Sequence, residues 1–333
     1  MRFRQIAGAS FLRRKLWSAI AAVLLALSGS VMAQNFPSRP VKIIVGFAPG
    51  GGSDIVARVL AQKLSDVWGQ SVVVENKTGA SGIIGADAVA KSTPDGYTLL
   101  VSSATSTAVA ASLNPNLPYD VLRDFSIVTV IGTTPTVLVI NPALVPKSFS
   151  EFVSYAKANP NSTFFGGSGI GSTGHLTGEL FNMSVNIKTG HVPYKGEPPA
   201  LTDIISGNLT FMFSSLPVVL PFVRNGQLRG LAVTSLQRSP GAPELPTVAE
   251  LGFPEMESVA WNALYAPSGV PKPVIARIHS DVTTILQLPD VRERFRQLGI
   301  EVVGNTPEQA TAYLRAEITK WGKVIRQANV RID

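Results

Sequence analysis

The sequence predicts an α/β fold of two domains, each a mainly parallel sheet flanked by helices. Three observations carry that prediction. Apolar strand-like runs alternate with runs of helical periodicity along most of the chain. Two glycine-rich turns, Ala48 to Asp54 and Gly167 to His175, each follow such a strand and open such a helix. Residues 34–333 supply 300 residues, enough for about two domains on size alone.

The first 33 residues stand apart. Arg2, Arg4, Arg13, Arg14 and Lys15 form a basic stretch, Leu16 to Leu27 is apolar, and Val31-Met32-Ala33 offers small residues before a cleavage after Ala33. This is the pattern of a secretory signal peptide and implies export. The whole chain carries a formal charge of +7; five basic and no acidic residues lie in 1–33, which leaves +2 on the mature chain. No basic run or aromatic-basic interleaving remains, so nucleic acid is not an expected partner. The absence of cysteine excludes disulfides, thiolate chemistry and a lipid anchor on an N-terminal Cys.

In the first block, Val41 to Phe47 reads as a buried strand and Ser53 to Val67 as a helix with Ile55, Val56, Val59, Leu60 and Leu64 at helical spacing. Ser71 to Glu75 is a second strand, Ile83 to Lys91 a short helix, and Tyr97 to Val101 a third strand after the turn Pro94-Asp95-Gly96. The second block repeats this grammar. Its strands are Thr136–Ile140, Thr163–Gly166, Lys188–Pro193, Leu209–Phe213 and Arg229–Val233. Its helices begin at a capping box, Ser148 with Glu151, then at His175 and near 198 and 216. A strand from Trp261 to Ala266 and helices at about 271–287, 289–298 and 306–328 close the chain. The last helix sets Ala310, Leu314, Ile318, Trp321, Ile325 and Ala328 on one face, as a surface helix does. The strands near 128–140 and 259–266 are the expected crossovers, with a ligand at the carboxyl ends of the strands between the domains.

Catalytic signals are weak by comparison. Gly169 to Gly174 fits G-x-G-x-x-G between a strand and a helix, but no acidic residue lies in Lys188 to Lys195, where a dinucleotide ribose needs one. Neither glycine turn continues into Gly-Lys-Ser/Thr, so neither is a nucleotide P-loop. Ser154-Tyr155-Ala156-Lys157 and Lys188-Thr189-Gly190 imitate penicillin-recognising enzymes, but Ser154 falls inside an amphipathic helix and no S-D-N lies between them. His175, His191 and His279 are scattered without a carboxylate cluster, so neither a metal nor a cofactor is expected. A secreted α/β hydrolase is the alternative reading, and it lacks a visible nucleophile.

What remains is anion binding. A glycine turn that opens a helix leaves backbone N–H groups free at the positive end of the helix dipole. Two such turns suggest two domains facing one anionic ligand. The hydroxyl-rich Ser102 to Thr107, after the third strand, suits a polar ligand or a capped turn. Asp54 either charges the first helical turn or fixes the loop, and His175 either packs locally or donates to a bound carboxylate.

A broader resemblance joins these pieces. Phe36-Pro37-Ser38-Arg39-Pro40, Val45 to Asp54 with Ala57-Arg58, Val74-Glu75-Asn76-Lys77 and Pro94 to Leu100 resemble the Bug family, the extracytoplasmic solute receptors of tripartite tricarboxylate transporters. So do Gly169 to Leu176, Val192 to Gly196, Leu231 to Ser235 with Arg238-Ser239, and Pro246 to Glu250 with Gly252. The resemblance spans essentially all of 34–333. It implies a non-enzymatic periplasmic binding protein, a clamshell with residues 34–134 and 256–333 in one domain and 135–255 in the other. It further implies a monomer, not embedded in the membrane, that offers a bound carboxylate to membrane transporter subunits or a sensor. Carried onto this chain, one ligand carboxylate lies between Pro49, Gly50, Gly51, Gly52, Ser53 and Asp54 on one side and Ser168, Gly169, Gly171, Ser172, Thr173 and His175 on the other. Ser103, Thr105, Ser106, Lys195, Gly196 and Ser214 line the rest. Many relatives carry an acidic residue in the stretch that here reads Phe213-Ser214-Ser215; its absence implies a non-amino carboxylate such as a dicarboxylate, a hydroxy acid or an aromatic acid.

Overall fold

The computed structural model describes residues 36–331, so the expected signal peptide lies outside the described residues. The chain opens with β1 (Val41–Val45), α1 (Gly52–Trp68), β2 (Val72–Asn76), α2 (Ile83–Ala90) and β3 (Thr98–Ser103). A π-helical turn, Thr105–Val109, leads into the short α3 (Ala110–Leu113), and then comes the 16-residue β4 (Phe125–Ile140). Next are α4 (Phe149–Ala158), β5 (Phe164–Gly167), α5 (Thr173–Ser184), β6 (Gly190–Pro193), α6 (Glu197–Ile205), β7 (Phe211–Ser215), α7 (Leu216–Arg224) and β8 (Arg229–Val233). The chain closes with β9 (Val259–Pro267), α8 (Lys272–Gln287), α9 (Pro289–Gln297), β10 (Glu301–Val302) and α10 (Pro307–Gln327).

Local chemistry sets these elements. Helix α1 buries Val56, Ala57, Leu60, Ala61, Leu64 and Trp68 along one stripe and stops at Gly69, whose φ of 60° lets its N–H close on the Ser65 carbonyl. Its buried end is tied to α8, because Trp68 Nε1 donates to Asp281 at 2.7 Å. Ser148 caps α4 as expected, but the Glu151 carboxylate accepts from the Lys147 amide at 2.8 Å instead of the Ser148 amide. The reciprocal box forms at α10, between Thr306 and Gln309.

One sheet path runs β2-β1-β3-β9-β4-β7-β5-β6, with β8 and β10 paired to β4. The pairs β1–β2, β1–β3, β5–β6 and β5–β7 are parallel, while β9 lies antiparallel between β3 and β4. Strand β4 therefore runs in the direction of β3 and leaves the first sheet at the end where β3 stops. It pairs with β9 as far as Pro135–Val259, and from Thr136–Ser215 onward it pairs antiparallel with β7. It must oppose β5 and β7, because it enters the second sheet at the end where those strands finish. The carboxyl ends of both parallel sets thus face the same gap.

The sequence places a crossover at 259–266, but β9 lies wholly in the first sheet. The return passage precedes it. Thr234 N–H donates to the Thr136 carbonyl at 2.9 Å, and Ser258 N–H donates to the Thr234 carbonyl at 3.1 Å, which ties the two passages together. A polar strand junction of this kind cannot be read from local periodicity.

Both sheets are buried on both faces. Val41, Ile43 and Val45 point to the side of α1 and α8, and Ile44 and Leu100 point to the side of α10. Strand β4 repeats the alternation in the second sheet, with Val137 and Val139 on one face and Leu138 and Ile140 on the other. Among the described residues no helix is long and apolar enough to cross a membrane.

Helix α10 is held on the first sheet by a buried carboxylate. Glu317 Oε2 accepts from the indole N–H groups of Trp261 on β9 and Trp321 on α10, each at 2.8 Å. Replacing it with leucine strands two buried donors, so Glu317→Leu is expected to lower unfolding stability by about 2–6 kcal/mol in urea titration. A loss below about 1 kcal/mol would show that the clamp contributes little.

Candidate functional site

Each glycine turn is built by side chains that stand behind it. In the first, Gly50 takes φ +81° and donates its N–H to Asp54 Oδ2 at 2.9 Å. The same oxygen accepts from Arg58 Nε at 2.8 Å, and Oδ1 accepts from Asn76 Nδ2 at 2.9 Å. Burial pushes the Asp54 pKa up, but the bonds from Arg58, Gly50 and Asn76 outweigh it and hold the carboxyl below its ordinary range. The first intrahelical bond of α1 runs from Ile55 to Gly51, so the N–H groups of Gly52, Ser53 and Asp54 precede it.

In the second turn, Ser172 caps α5 by accepting from the His175 amide at 3.2 Å. Gly171, at φ +74°, donates its N–H to His175 Nδ1 at 2.9 Å. That bond requires an unprotonated Nδ1 and leaves the ring proton on Nε2, which lies 3.6 Å from Glu179. The His175 ring stacks on His191, with centroids 3.7 Å apart and planes 8° from parallel. Burial, with His175 beside it, pushes the His191 pKa down to about 3, so this ring is neutral at neutral pH. The first α5 bond runs from Leu176 to Ser172, so the Thr173 and Gly174 amides precede it.

The two turns face each other across a cavity of about 40 Å³. Gly51, Gly52 and Ser53 form one wall, and Ser168, Thr173 and Gly174 form the opposite one. Ser103 and Thr105 come from the end of β3, Thr136 from the sheet junction and Asn262 from β9. Ser53 Oγ donates to Asn262 Oδ1 at 2.6 Å, which leaves the Asn262 amide nitrogen as a donor. Four helices, α1, α5, α6 and α7, begin at this cavity. Among the described residues that line it, Glu197 is the one charged side chain. A second, larger space of about 360 Å³ adjoins it through Thr105. It lies between Gly79 to Ile83 and the π-helical turn on one side and Gly169, Ile170, Tyr194 and Lys195 on the other.

The expected site residues therefore separate. Gly51, Gly52, Ser53, Ser103, Thr105, Ser168 and Thr173 line the small cavity, and Gly169 and Lys195 line the larger one with Thr105. Pro49, Gly50, Asp54, Ser106, Gly171, Ser172, His175, Gly196 and Ser214 line neither. Most of these shape the walls. Asp54 and His175 hold the glycine turns, and Ser106 ties the π-helical turn to Ser102 near the end of β3. Gly196 lets the chain approach the first turn, since a Cβ there would sit 3.2 Å from the Ala48 Cβ.

Sequence reasoning missed Asn262, Thr136 and Glu197, while Ser215, expected with Phe213 and Ser214, does line the small cavity. Asn262 had a signal, as the one polar residue within the buried run Trp261 to Ala266. Glu197 had none, because its neighbours in space are distant in the chain. It also corrects the premise drawn from the stretch 213–215. That stretch carries no acid, yet Ser214 Oγ, Ser215 N–H and Ser215 Oγ all donate to the Glu197 carboxylate, at 3.0, 2.8 and 2.9 Å. An acidic group stands there after all, supplied by the start of α6.

Across residues 56–330 the chain matches the tripartite tricarboxylate transporter family receptor. It belongs to that receptor family. Protein BugT of Bordetella pertussis is 40% identical over 318 residues, 94% of this chain and 98% of its own. The solved structure of the periplasmic binding protein BugD superposes with a TM-score of 0.85 at 33% identity, covering 89% of this chain and 99% of that one. MatC from Rhodopseudomonas palustris, solved with bound malate, superposes at 0.83 with 32% identity, covering 87% of this chain and 100% of that one. The clamshell fold and the Bug resemblance are thereby established, and the chain is a solute-binding receptor, not a hydrolase.

The bonds on Asp54 have a pH signature. Its folded-state pKa lies below the ordinary 3.8, so its stabilising contribution is complete above that value and is lost as pH falls through the folded value. Asp54→Asn is expected to cost about 1–3 kcal/mol at pH 7, and the gap to wild type should close in denaturant titration as pH falls below 3.8 and through the lowered folded-state value. A gap that persists unchanged in acid would show that charge on Asp54 is not what holds the loop.

Proposed function

We propose that the protein captures a small organic carboxylate between its two domains and that the closed form is read by membrane transporter subunits or a sensor. The observation that carries this reading is the convergence of four helix N-termini on one small cavity rich in serine, threonine and asparagine donors. The amides of Ser53 and Asp54 on one side and of Thr173 and Gly174 on the other precede the first intrahelical bonds. Such groups favour an anion through both hydrogen bonding and the helix dipole. The malate bound to MatC, which is 32% identical to this chain, supports a carboxylate as the ligand.

In this reading Gly51, Gly52, Ser53, Ser103, Thr105, Ser168 and Thr173 touch the ligand, while Gly50, Asp54, Gly171, Ser172 and His175 keep the turns in shape. The domains are residues 34–134 with 256–333, and residues 135–255. The change of β4 from one sheet to the other between Pro135 and Thr136 supports that division. The hinge for domain closure then lies in β4 and in the passage between Thr234 and Ser258. The mature protein acts as an exported, periplasmic monomer.

Thermal unfolding of residues 34–333 against carboxylates, amino acids and uncharged controls tests this reading. A ligand at about a thousandfold over its Kd adds roughly 4 kcal/mol, which gives a clear shift. Thr173→Val should weaken binding about tenfold, the share expected of one hydrogen bond to a charged group. If no carboxylate shifts the transition, and denaturing mass spectrometry finds no co-purified ligand, the reading fails.

A further inference from the structure

We propose that Glu197 makes this cleft selective for carboxylates that carry a cationic amine beside the carboxylate, that is, for zwitterionic amino acids. The proposal rests on the carboxylate-receptor reading above and names the ligand class of the same site. Its starting point is the uneven use of the two Glu197 oxygens. Oε1 accepts from Ser214 Oγ at 3.0 Å and from the Ser215 amide at 2.8 Å. The Ser215 hydroxyl oxygen lies 2.9 Å from Oε1 and 3.2 Å from Oε2, and its single proton is shared between them. Beyond that shared hydroxyl, Oε2 has only a long approach to the Gly52 amide, at 3.4 Å across the gap. A carboxylate oxygen offers two lone pairs, so the second wall of the domain gap fixes Oε1 and leaves acceptor capacity on Oε2.

The charge balance points the same way. No lysine, arginine or histidine is among the described residues that line the small cavity, and Glu197 carries its one formal charge. The converging helix N-termini favour one anionic group, and Glu197 already sits among them. A plain carboxylate placed against the free amides of α1 and α5 would add a second negative charge beside Glu197 with no cation between them. An ammonium on the adjacent carbon removes that conflict. It donates to Oε2 while its carboxylate takes the amides of the glycine turns.

Glu197 is also held still. It is the first residue of α6, between Gly196 and Pro198, and Gly196 is packed against Ala48. A fixed acceptor discriminates by charge and direction, whereas a mobile one would swing away from an ill-matched ligand. The adjoining space, with Val109, Leu113 and Ile170 on its walls and Lys195 at its edge, has the volume to receive the amino acid side chain.

The experiment is isothermal titration of the mature protein with matched pairs: alanine and propionate, aspartate and succinate, phenylalanine and 3-phenylpropionate. In at least one pair the amino acid should bind ten or more times tighter than its deamino partner. In Glu197→Gln that preference should fall to within about threefold, while binding of the deamino partner is kept or improved. The proposal is overturned if deamino partners bind as well as the amino acids throughout, or if E197Q keeps the wild-type ratio. Should E197Q fail to fold, the wild-type ratios alone decide. Binding of succinate without any amino acid would leave the carboxylate receptor standing and remove the role of Glu197. No binding by any member of any pair would overturn the role of Glu197, and the carboxylate reading would fall with it if the unfolding panel and mass spectrometry also find no ligand.

Discussion

Everything at the candidate site depends on one strand serving two sheets. Because β4 leaves the first sheet where β3 ends and enters the second where β5 and β7 end, the carboxyl edges of both sheets meet. Helices that follow parallel strands begin at those edges. Their unpaired N–H groups are therefore delivered to one place without any long-range side-chain device. The antiparallel placement of β4 and β9 within otherwise parallel sets is the geometric consequence of threading the chain through that gap twice.

Backbone donors at a domain gap are useful only if the turns that carry them keep their shape. Two buried side chains do that work from behind. Asp54 gathers the Gly50 amide, Arg58 and Asn76 on its two oxygens, and His175 receives the Gly171 amide on a ring that stacks on a neutral His191. Neither lines either of the two cavities, so both shape that region through the loop alone. Glu197 does the opposite. It enters the cavity wall as a charge, held by serines of β7 and touching the N-terminus of α1 from the other side of the gap. It is the point at which the receptor architecture acquires a chemical preference.

Much of this was legible before the structure. The helical stripe of α1, the alternation of β1 and β4, and the glycine turns are local patterns, and local patterns survive folding because each residue's φ, ψ and period decide them. Strand ends moved by a residue or two, as with β6, which begins at Gly190 and not at Lys188. Ser148 capped its helix on schedule, yet the reciprocal bond went to Lys147, because the exact reach of Glu151 depends on how the chain enters the helix. The return crossover was misplaced onto β9, since buried strands look alike whichever sheet they join.

The sequence by itself determined the elements, the two anion-prone turns, the absence of thiol chemistry and, through motifs spread along 34–333, the receptor family. These follow from residue type and spacing, which are written in the chain. Only the tertiary structure decided which loop residues face the cavity, that Asn262 meets Ser53 across 209 positions, and that the acidic group missing from 213–215 returns as Glu197. Such partners are chosen by the packing of whole sheets. A charge at the start of one helix acquires its role only when another strand's serines and another domain's amide come to surround it.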